Sequence, residues 1–435
     1  MHFFLSRRFL PLFITQFLGA FNDNFLKNAL VVLITYRLAE KTGQNPQIMV
    51  ALAAGLFILP YFLFSATSGQ LADAFPRQKI AHLVKLAEII LMILALFGFV
   101  FENLWLLMVV LFLMGSHSTF FSPVKYSLLP QHLRENELLP GNACIGAGTF
   151  LAILLGTIFG GLMILKPQGD FLGSMVLIAM AVIGYLSSRA IPDAPPPSPG
   201  LKIDLNPWSE TRKLLDYSKS VPHIHRCILA ISWFWFIGAT FLAQFPTFAR
   251  DVLHADETVV TLFLTMFSIG VGIGSFLCNR LLKGKVKLTF VLFAAIGMGI
   301  CALDLAWVSA SVIKPDMEEF IGITEFLRDA VSWRIAIDLF LLAVCGGVFV
   351  VPLYAYLQQY GDPAHLARLV ATNNIINAVY MVASSLFIIA MVALGASIPQ
   401  IFLAVGLLNL VVCFWLYQSR SILRVPETNM LENKV

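Results

Sequence analysis

Asp23 and Lys27 stand four residues apart in a stretch, Gln16 to Leu30, whose flanks are apolar, and Asn22, Asn24 and Asn28 surround them. At 100° per residue, a helix gathers Gln16, Ala20, Asp23 and Lys27 into one narrow stripe. Asn24 and Asn28 flank that stripe, and Asn22 points away from it. A charge at mid-bilayer costs about 2.5–3.5 kcal/mol. One turn apart, the acid and the base partly neutralise each other, which lowers that cost. One role for such a pair is an internal ion pair that fixes helix packing, but packing alone needs no surrounding amides. The favoured expectation is a polar cavity lining, with Asp23, Asn24 and Lys27 open to a substrate and Asp23 available to a cation such as Na⁺.

Further along, Ser118, Ser122 and Lys125 fall on one helical face, with Pro123 and Tyr126 beside them. Lys125 either snorkels to the cytoplasmic end or serves as a cavity cation suited to an anionic group such as phosphate. Asn142, Gln358, Asn373 and Asn377 are the other apolar-segment polar residues expected at a substrate. Asn373 and Asn377 share a face from which Asn374 is turned about 100°, and interhelical hydrogen bonding is the plainer role for them. Glu88 follows Lys85 by three residues, as a local pair would, while Asp304 and Asp338 are membrane-embedded acids whose role is open.

Twelve apolar segments can carry these residues across a bilayer, each near the 20 residues a span needs. They run near 9–36, 47–72, 80–101, 104–130, 139–165, 170–190, 224–249, 257–282, 288–312, 334–360, 368–395 and 398–419. The third and fourth are separated only by Glu102 and Asn103, so that hairpin must turn tightly. A polar, proline-rich stretch at 192–222 is the one long break and divides the spans six and six. This implies a bundle over 1–190, a cytoplasmic linker over 191–223, a second bundle over 224–420 and a cytoplasmic tail over 421–435. Lys27 and Lys125 lie inside spans. Of the remaining lysines and arginines, 20 fall on the N-terminal side of the membrane and 7 on the other. The positive-inside rule then puts both termini in the cytoplasm.

The bulk numbers agree with an all-α integral membrane protein: 58% hydrophobic and 12% charged residues, with a mean hydropathy of +0.82. Soluble chains carry about 25% charged residues. The net charge of +4 is too small and scattered for nucleic acid. Six cysteines lie in apolar runs without paired spacing and read as small buried hydrophobes rather than metal or redox groups. Arg7 and Arg8 have the wrong spacing for a twin-arginine export signal and instead start the first span. An acyltransferase needs His-x4-Asp, and none of the eight histidines has an aspartate five residues on; the nearest case is His132 to Glu137. No enzyme is expected.

The two halves echo each other. Pro123 and Pro352 each sit inside a span of their half, and Leu139-PGNACIGAG matches Val370-ATNNIINAV so that Asn142 meets Asn373. Between the second and third spans, Gly69, Asp73 and Arg77 resemble the loop signature of major facilitator transporters, a resemblance that implies a latch on one conformation rather than contact with substrate. The second-half counterpart has Asn279 where the acid would be.

Four stretches, Phe17-LGAFNDN-Phe25, Phe121-SPVKYSLL-Pro130, Ala152-ILLGTIFGG-Leu162 and Gly346-GVFVVPLYAYLQQ-Tyr360, resemble the lysophospholipid transporter family of the major facilitator superfamily. The resemblance implies a major facilitator fold of two six-helix bundles in the bacterial inner membrane. It implies a monomeric, multi-pass flippase among membrane lipids, moving lysophosphatidylethanolamine-like lipid from the outer to the inner leaflet by alternating access. A cytoplasmic-side acyltransferase then restores the missing chain. It places Asp23 and Lys125 on matching polar positions, implies no cofactor, and leaves Na⁺ or H⁺ as coupling ion. Phosphate would seek Lys125 or Lys27, and ammonium Asp23 or an aromatic face such as Trp233 or Trp235. The outer segment 313–333, rich in Asp and Glu, has no counterpart role. The alternative is a cation-coupled carrier of a soluble solute such as a sugar or drug, with Asp23 as its coupling site.

Overall fold

The computed structural model describes residues 3–38, 46–204, 206–312 and 320–419. The expected tail, 421–435, and the acidic stretch at 313–319 lie outside the described residues. Fourteen α-helices follow one another among them: α1 Leu10–Leu33, α2 Pro46–Ala74, α3 Arg77–Val100, α4 Leu104–His132, α5 Glu135–Ile164, α6 Gly169–Ser188, α7 Pro207–Ser220, α8 Pro222–Thr247, α9 Glu257–Leu282, α10 Val291–Ala310, α11 Ile323–Phe326, α12 Ala330–Tyr360, α13 Leu366–Ala393 and α14 Ile398–Ser419. Single π-turns, Ile34–Leu38 and Phe248–Val252, extend α1 and α8.

Eleven of these are long and apolar enough to cross a membrane: α2 to α6, α8 to α10 and α12 to α14. The first, α1, falls outside that set because its asparagines, Asp23 and Lys27 dilute its hydropathy, although its 24 residues would span a bilayer. The expected segments therefore match the helices one for one, with differences at the ends. The tight hairpin at Glu102 and Asn103 is present: Glu102 adopts a left-handed φ of 49°, and the Asn103 side chain caps α4 by accepting from Leu106 N at 3.0 Å. The polar, proline-rich stretch expected as a linker contains a helix, Pro207–Ser220. Asn206 opens α7 by accepting from the amides of Trp208 and Ser209.

The chain forms two compact units: residues 1–215 with 361–378, and residues 216–360 with 379–435. In the first, α1 packs most extensively on α5, α2 on α4, and α3 on α6 and α4. Glycines set the closest of these approaches. A Cβ on Gly156 or Gly160 would fall on the carbonyl oxygens of Phe21 and Phe25 respectively, so this small-xxx-small pair lets the α1 backbone lie against α5. Two apolar clusters fill the unit. One is built around Phe25, Leu30, Met92, Leu107, Leu111 and Leu177, the other around Phe9, Leu12, Phe121, Val124, Leu128 and Leu129. In α1, α3 and α4, three of the helices that contribute to both, the polar residues Asn22, Asp23, Lys85, Glu88, His117 and Ser118 lie at or near the changeover.

Pro123 interrupts α4 and withholds the N–H that would reach the Thr119 carbonyl one turn back. The hydroxyl of Ser68 on α2 reaches that carbonyl at 3.1 Å and shares its proton with the Ser65 carbonyl of its own helix at 3.0 Å, and the site is fully buried. A freed backbone acceptor in an apolar setting is thus satisfied from the neighbouring helix.

In the second unit, α9 and α12 approach as closely as α1 and α5 do in the first: a Cβ on Gly274 or Gly347 would fall on the backbone carbonyls of Val344 and Val271. Its core is aromatic. Phe241 stacks on Phe402 with centroids 4.7 Å apart, Phe248 meets Phe402 edge-on, and Phe263 contacts Phe245, Phe248 and Phe326.

Candidate functional site

Along α1, the Asp23 carboxylate accepts from the Ser118 hydroxyl of α4 at 2.5 Å through Oδ2. Its other oxygen, Oδ1, is buried and has no hydrogen-bond partner among the described residues. Lys27 does not close on Asp23. Its ammonium donates to Asn24 Oδ1 at 3.2 Å and lies 5.6 Å from the centroid of the Phe57 ring. Asn24 in turn donates to the Ala20 carbonyl at 2.8 Å. The expected acid–base pair is therefore replaced by two separate contacts. The helical stripe is real, but the hydroxyl from α4 serves the acid and the amide serves the base. Lys125 lies over the Tyr126 ring at 4.5 Å.

Behind this stripe runs a second, fully buried polar group. Lys85 and Glu88 pair at 2.6 Å with neither side chain exposed, and Asn22, the residue pointing away from Asp23, donates to Glu88 Oε1 at 2.8 Å and to the Leu177 carbonyl at 3.2 Å. His117 Nε2 stands 3.2 Å from Glu88 Oε2. The local pair expected at Lys85 and Glu88 is present, and its bond to Asn22 explains why α1 carries an amide on its inward side. Sequence reasoning passed over His117. The signal was there: a histidine between Ser116 and Ser118 inside a span, one position from the serine expected at the cavity.

Ser122 and Asn374 exchange hydrogen bonds, with contacts of 3.2 and 2.9 Å, so the asparagine turned away from the Asn373–Asn377 face is the one that reaches α4. Asn373 is fully buried with both amide atoms unpartnered among the described residues. Asn377 is also buried. Asn142 is buried and donates to the Leu138 carbonyl of its own helix at 2.9 Å. Gln358 is buried on α12, in the second unit. Of the two tryptophans suggested for an ammonium, Trp233 is a core residue: it stacks on Phe236 at 5.0 Å and its N–H donates to Asn409 at 2.9 Å. Trp235 donates to the Tyr354 hydroxyl at 3.2 Å.

The Gly69, Asp73 and Arg77 motif makes a compact knot at the end of α2. Asp73 pairs with Arg77 at 3.0 Å and with Arg368 at 3.1 Å, and accepts from Ala367 N at 3.3 Å. Arg77 also donates to the carbonyls of Ala72 and Ser127. Gly69 lies under Arg368 and Ala371, where a Cβ would come within 2.8 Å of the Ala371 methyl. Residues 193–204 run over the same knot: Ala194 exchanges bonds with Arg77 N and Gln78, Ser198 N donates to the Asp73 carbonyl, and Asp204 exchanges two with Gln70. The turn before α13 is fixed by Asp362. Partial burial opposes its charge, but bonds from Ala364 N and His365 hold its carboxyl below the usual carboxylate range.

In unit two, Asp304 takes a two-pronged bond from Arg334 at 2.9 and 2.5 Å, and that guanidinium lies over Trp307 at 4.7 Å. Asp338 is buried beside them, with Oδ2 unpartnered among the described residues. All six cysteines are free thiols.

The chain has counterparts among characterised proteins. It is 25% identical over 365 residues to the lysophospholipid transporter LplT of Serratia proteamaculans, covering 82% of this chain and 81% of that one. It is 26% identical over 359 residues to LplT of Escherichia coli, covering 80% and 79%. Among solved structures, the human organic anion transporter MFSD10 superposes with a TM-score of 0.72 at 13% identity, over 94% of this chain and 98% of that one. The fucose:proton symporter FucP of E. coli does so with a TM-score of 0.64 at 14% identity, over 94% and 98%. At such identities the structures speak for the fold alone. Residues 12–317 match the family profile described as Major Facilitator Superfamily. That match covers well over half of the sequence, and the chain belongs to the Major Facilitator Superfamily.

Proposed function

We propose that the protein is a lysophospholipid flippase. It moves single-chain phospholipid, chiefly the ethanolamine form, from the outer to the inner leaflet of the bacterial inner membrane by alternating access of the halves 1–190 and 224–420. Both termini then face the cytoplasm, the working unit is a monomer, and the product passes to an acyltransferase on that side. The observation that carries the reading is the Asp23 carboxylate, satisfied on one oxygen by Ser118 and bare on the other. An acid kept half-satisfied in a membrane interior calls for a positive group brought by a ligand. Lys125 supplies a cation for the phosphate of the same head, and similarity to curated lysophospholipid transporters supports the lipid class.

In this reading Asp23, Asn24, Lys27, Ser122, Lys125 and Tyr126 form the lipid-head surface. Asn142, Asn373 and Asn377 complete the polar lining of the first unit. Gly69, Asp73 and Arg77, tied to Arg368, latch one conformation and release it in the other. A Na⁺ ion at Asp23 would draw on the Ser118 hydroxyl and neighbouring amides, since no three His, Cys, Asp or Glu side chains gather into a metal cluster among the described residues. The test is uptake of labelled lysophosphatidylethanolamine into spheroplasts, run beside a sugar and a cationic drug, with and without Na⁺ and an uncoupler. Lipid uptake that Asp23→Ala and Lys125→Ala each abolish at unchanged expression is expected. Uptake of the soluble solutes instead, or normal lipid uptake in both variants, overturns the reading.

A further inference from the structure

Asp338, like Asp23, is an acid with a bare oxygen inside the molecule. It lies on α12, is 7% exposed, and its Oδ2 is buried without a hydrogen-bond partner among the described residues. The helix α10 runs antiparallel beside it. Arg334 bonds Asp304 at one level, and Gly297 faces the Cys345 thiol at another. Asp338 falls one turn past Arg334 and two turns before Cys345, so it meets α10 between Gly297 and Asp304. There the carboxyl groups of Asp338 and Asp304 come within hydrogen-bonding reach of each other.

Two ionised carboxylates cannot bond each other, because both only accept. A proton between them turns the contact from repulsive to attractive. Arg334 does not remove the conflict: both its prongs are spent on Asp304, at 2.9 and 2.5 Å, so one guanidinium serves two acids. A metal ion fits poorly. It would have to displace Arg334, Oδ2 of Asp338 is closed to solvent, and no three metal-ligating side chains gather among the described residues. On the same two helices stand Cys301 and Cys345, both free thiols. The other helices packed on α12 are α8 and α9. Glu257 and Arg280 lie at the ends of α9, His223, His225 and Arg226 at the start of α8, and Arg250 and Asp251 in the π-turn beyond it. The helix packed on the other side of α10, α14, carries no charged residue. We infer that Asp304 and Asp338 form a proton-binding site, in which Asp338 is a neutral carboxylic acid that donates its proton to the Asp304 carboxylate.

The proton comes from water and returns to it, and only an O–H bond forms or breaks. Held, it joins α10 to α12 through the buried acid. Lost, it leaves two negative charges against Arg334 between the same helices. The site lies in the second unit, whereas Asp23 belongs to the first, so it does not depend on what Asp23 binds or on the lipid reading. The unfolded chain exposes both acids to water and holds no proton in common. Folding therefore takes up a proton. By linkage, the stability this contact adds is present in acid and is lost as pH rises through the point where the folded pair releases that proton.

The experiment takes the purified full-length protein in detergent and follows the infrared carbonyl stretch of protonated carboxyl groups from acid to alkaline pH. Asp338→Asn, whose amide imitates the protonated acid, is measured beside it. Expected is a band at neutral pH in the wild-type protein that Asp338→Asn removes, with one proton fewer released per chain on titration to alkaline pH. In thermal unfolding, the wild-type protein should lose stability relative to Asp338→Asn as pH rises, by up to about tenfold in the unfolding equilibrium per pH unit. If the folded variant loses no carboxyl band at neutral pH, Asp338 is ionised and the inference is overturned. An Asp338→Asn chain that is unstable or unfolded at neutral pH overturns it too, because a site that holds a proton tolerates the amide. A band that Na⁺ removes at fixed pH makes the pair a metal-cation site, with the same result. None of these outcomes involves lysophospholipid uptake, so the lipid reading stands or falls separately.

Discussion

The two units solve the same packing problem with different chemistry. Both bring helices together over glycines, Gly156 and Gly160 in the first and Gly274 and Gly347 in the second. Between its apolar clusters the first unit then holds a charged layer of Asp23, Lys85, Glu88 and His117, with Asn22 and Ser118 as its neutral hydrogen-bonding members. The second packs Phe241 on Phe402 and joins Trp233 to Asn409 by a neutral bond, with the acid Asp338 also buried. Its ion pair of Arg334 with Asp304 is partly exposed. Aromatic packing is stable and insensitive to ions; a buried charged layer is costly and responsive. The difference teaches that a buried, ion-paired layer lies behind Asp23 in the first unit, whereas the second keeps its Arg334–Asp304 pair partly exposed with Asp338 buried beside it.

The comparison is sharpened first by breaking the layer. Glu88→Leu leaves Lys85 buried and unpaired and should cost about 3–5 kcal/mol of stability, read as earlier thermal unfolding in detergent with a thiol-reactive dye. Adding Lys85→Met should recover much of it. Next comes the shared feature: Gly156→Ala and Gly347→Ala each force a methyl onto backbone and should lose about 1–3 kcal/mol alike. Unequal losses would mean the two units are not packed on one principle.

Function separates them at a smaller energy. Asp23→Ala should cut lysophospholipid uptake by about tenfold or more, equivalent to about 1.4 kcal/mol, while Trp235→Phe leaves uptake within about twofold. Its lost bond to Tyr354 should cost stability of about 0.5–1.5 kcal/mol. If Trp235→Phe abolishes uptake at full expression, uptake depends on this part of the second unit as well and the division fails.

Much of this was legible in the sequence. The order of the apolar helices, the tight turn at Glu102 and the pairing of Lys85 with Glu88 follow from hydropathy, charge spacing and helical periodicity, which are local. What was illegible depends on which helix lies opposite. The helical wheel aligned Asp23 with Lys27 but could not say that Ser118 would take the acid and Asn24 the base. It turned Asn22 and Asn374 away from the expected faces, correctly, yet had no means of supplying Glu88 and Ser122 as their partners. The linker helix α7 was hidden because prolines at 195–197 and a polar composition mask a short amphipathic run.

Pro123 has a consequence for how such sequences drift. The bond from Ser68 to the Thr119 carbonyl compensates for the missing proline N–H, so neither residue is neutral without the other. Replacing Ser68 with alanine strands a carbonyl in an apolar interior. Replacing Pro123 with alanine restores the regular helical bond and makes the serine dispensable. In diverging chains, the serine should be lost only where the proline has gone first, and the order of those two events leaves a historical trace.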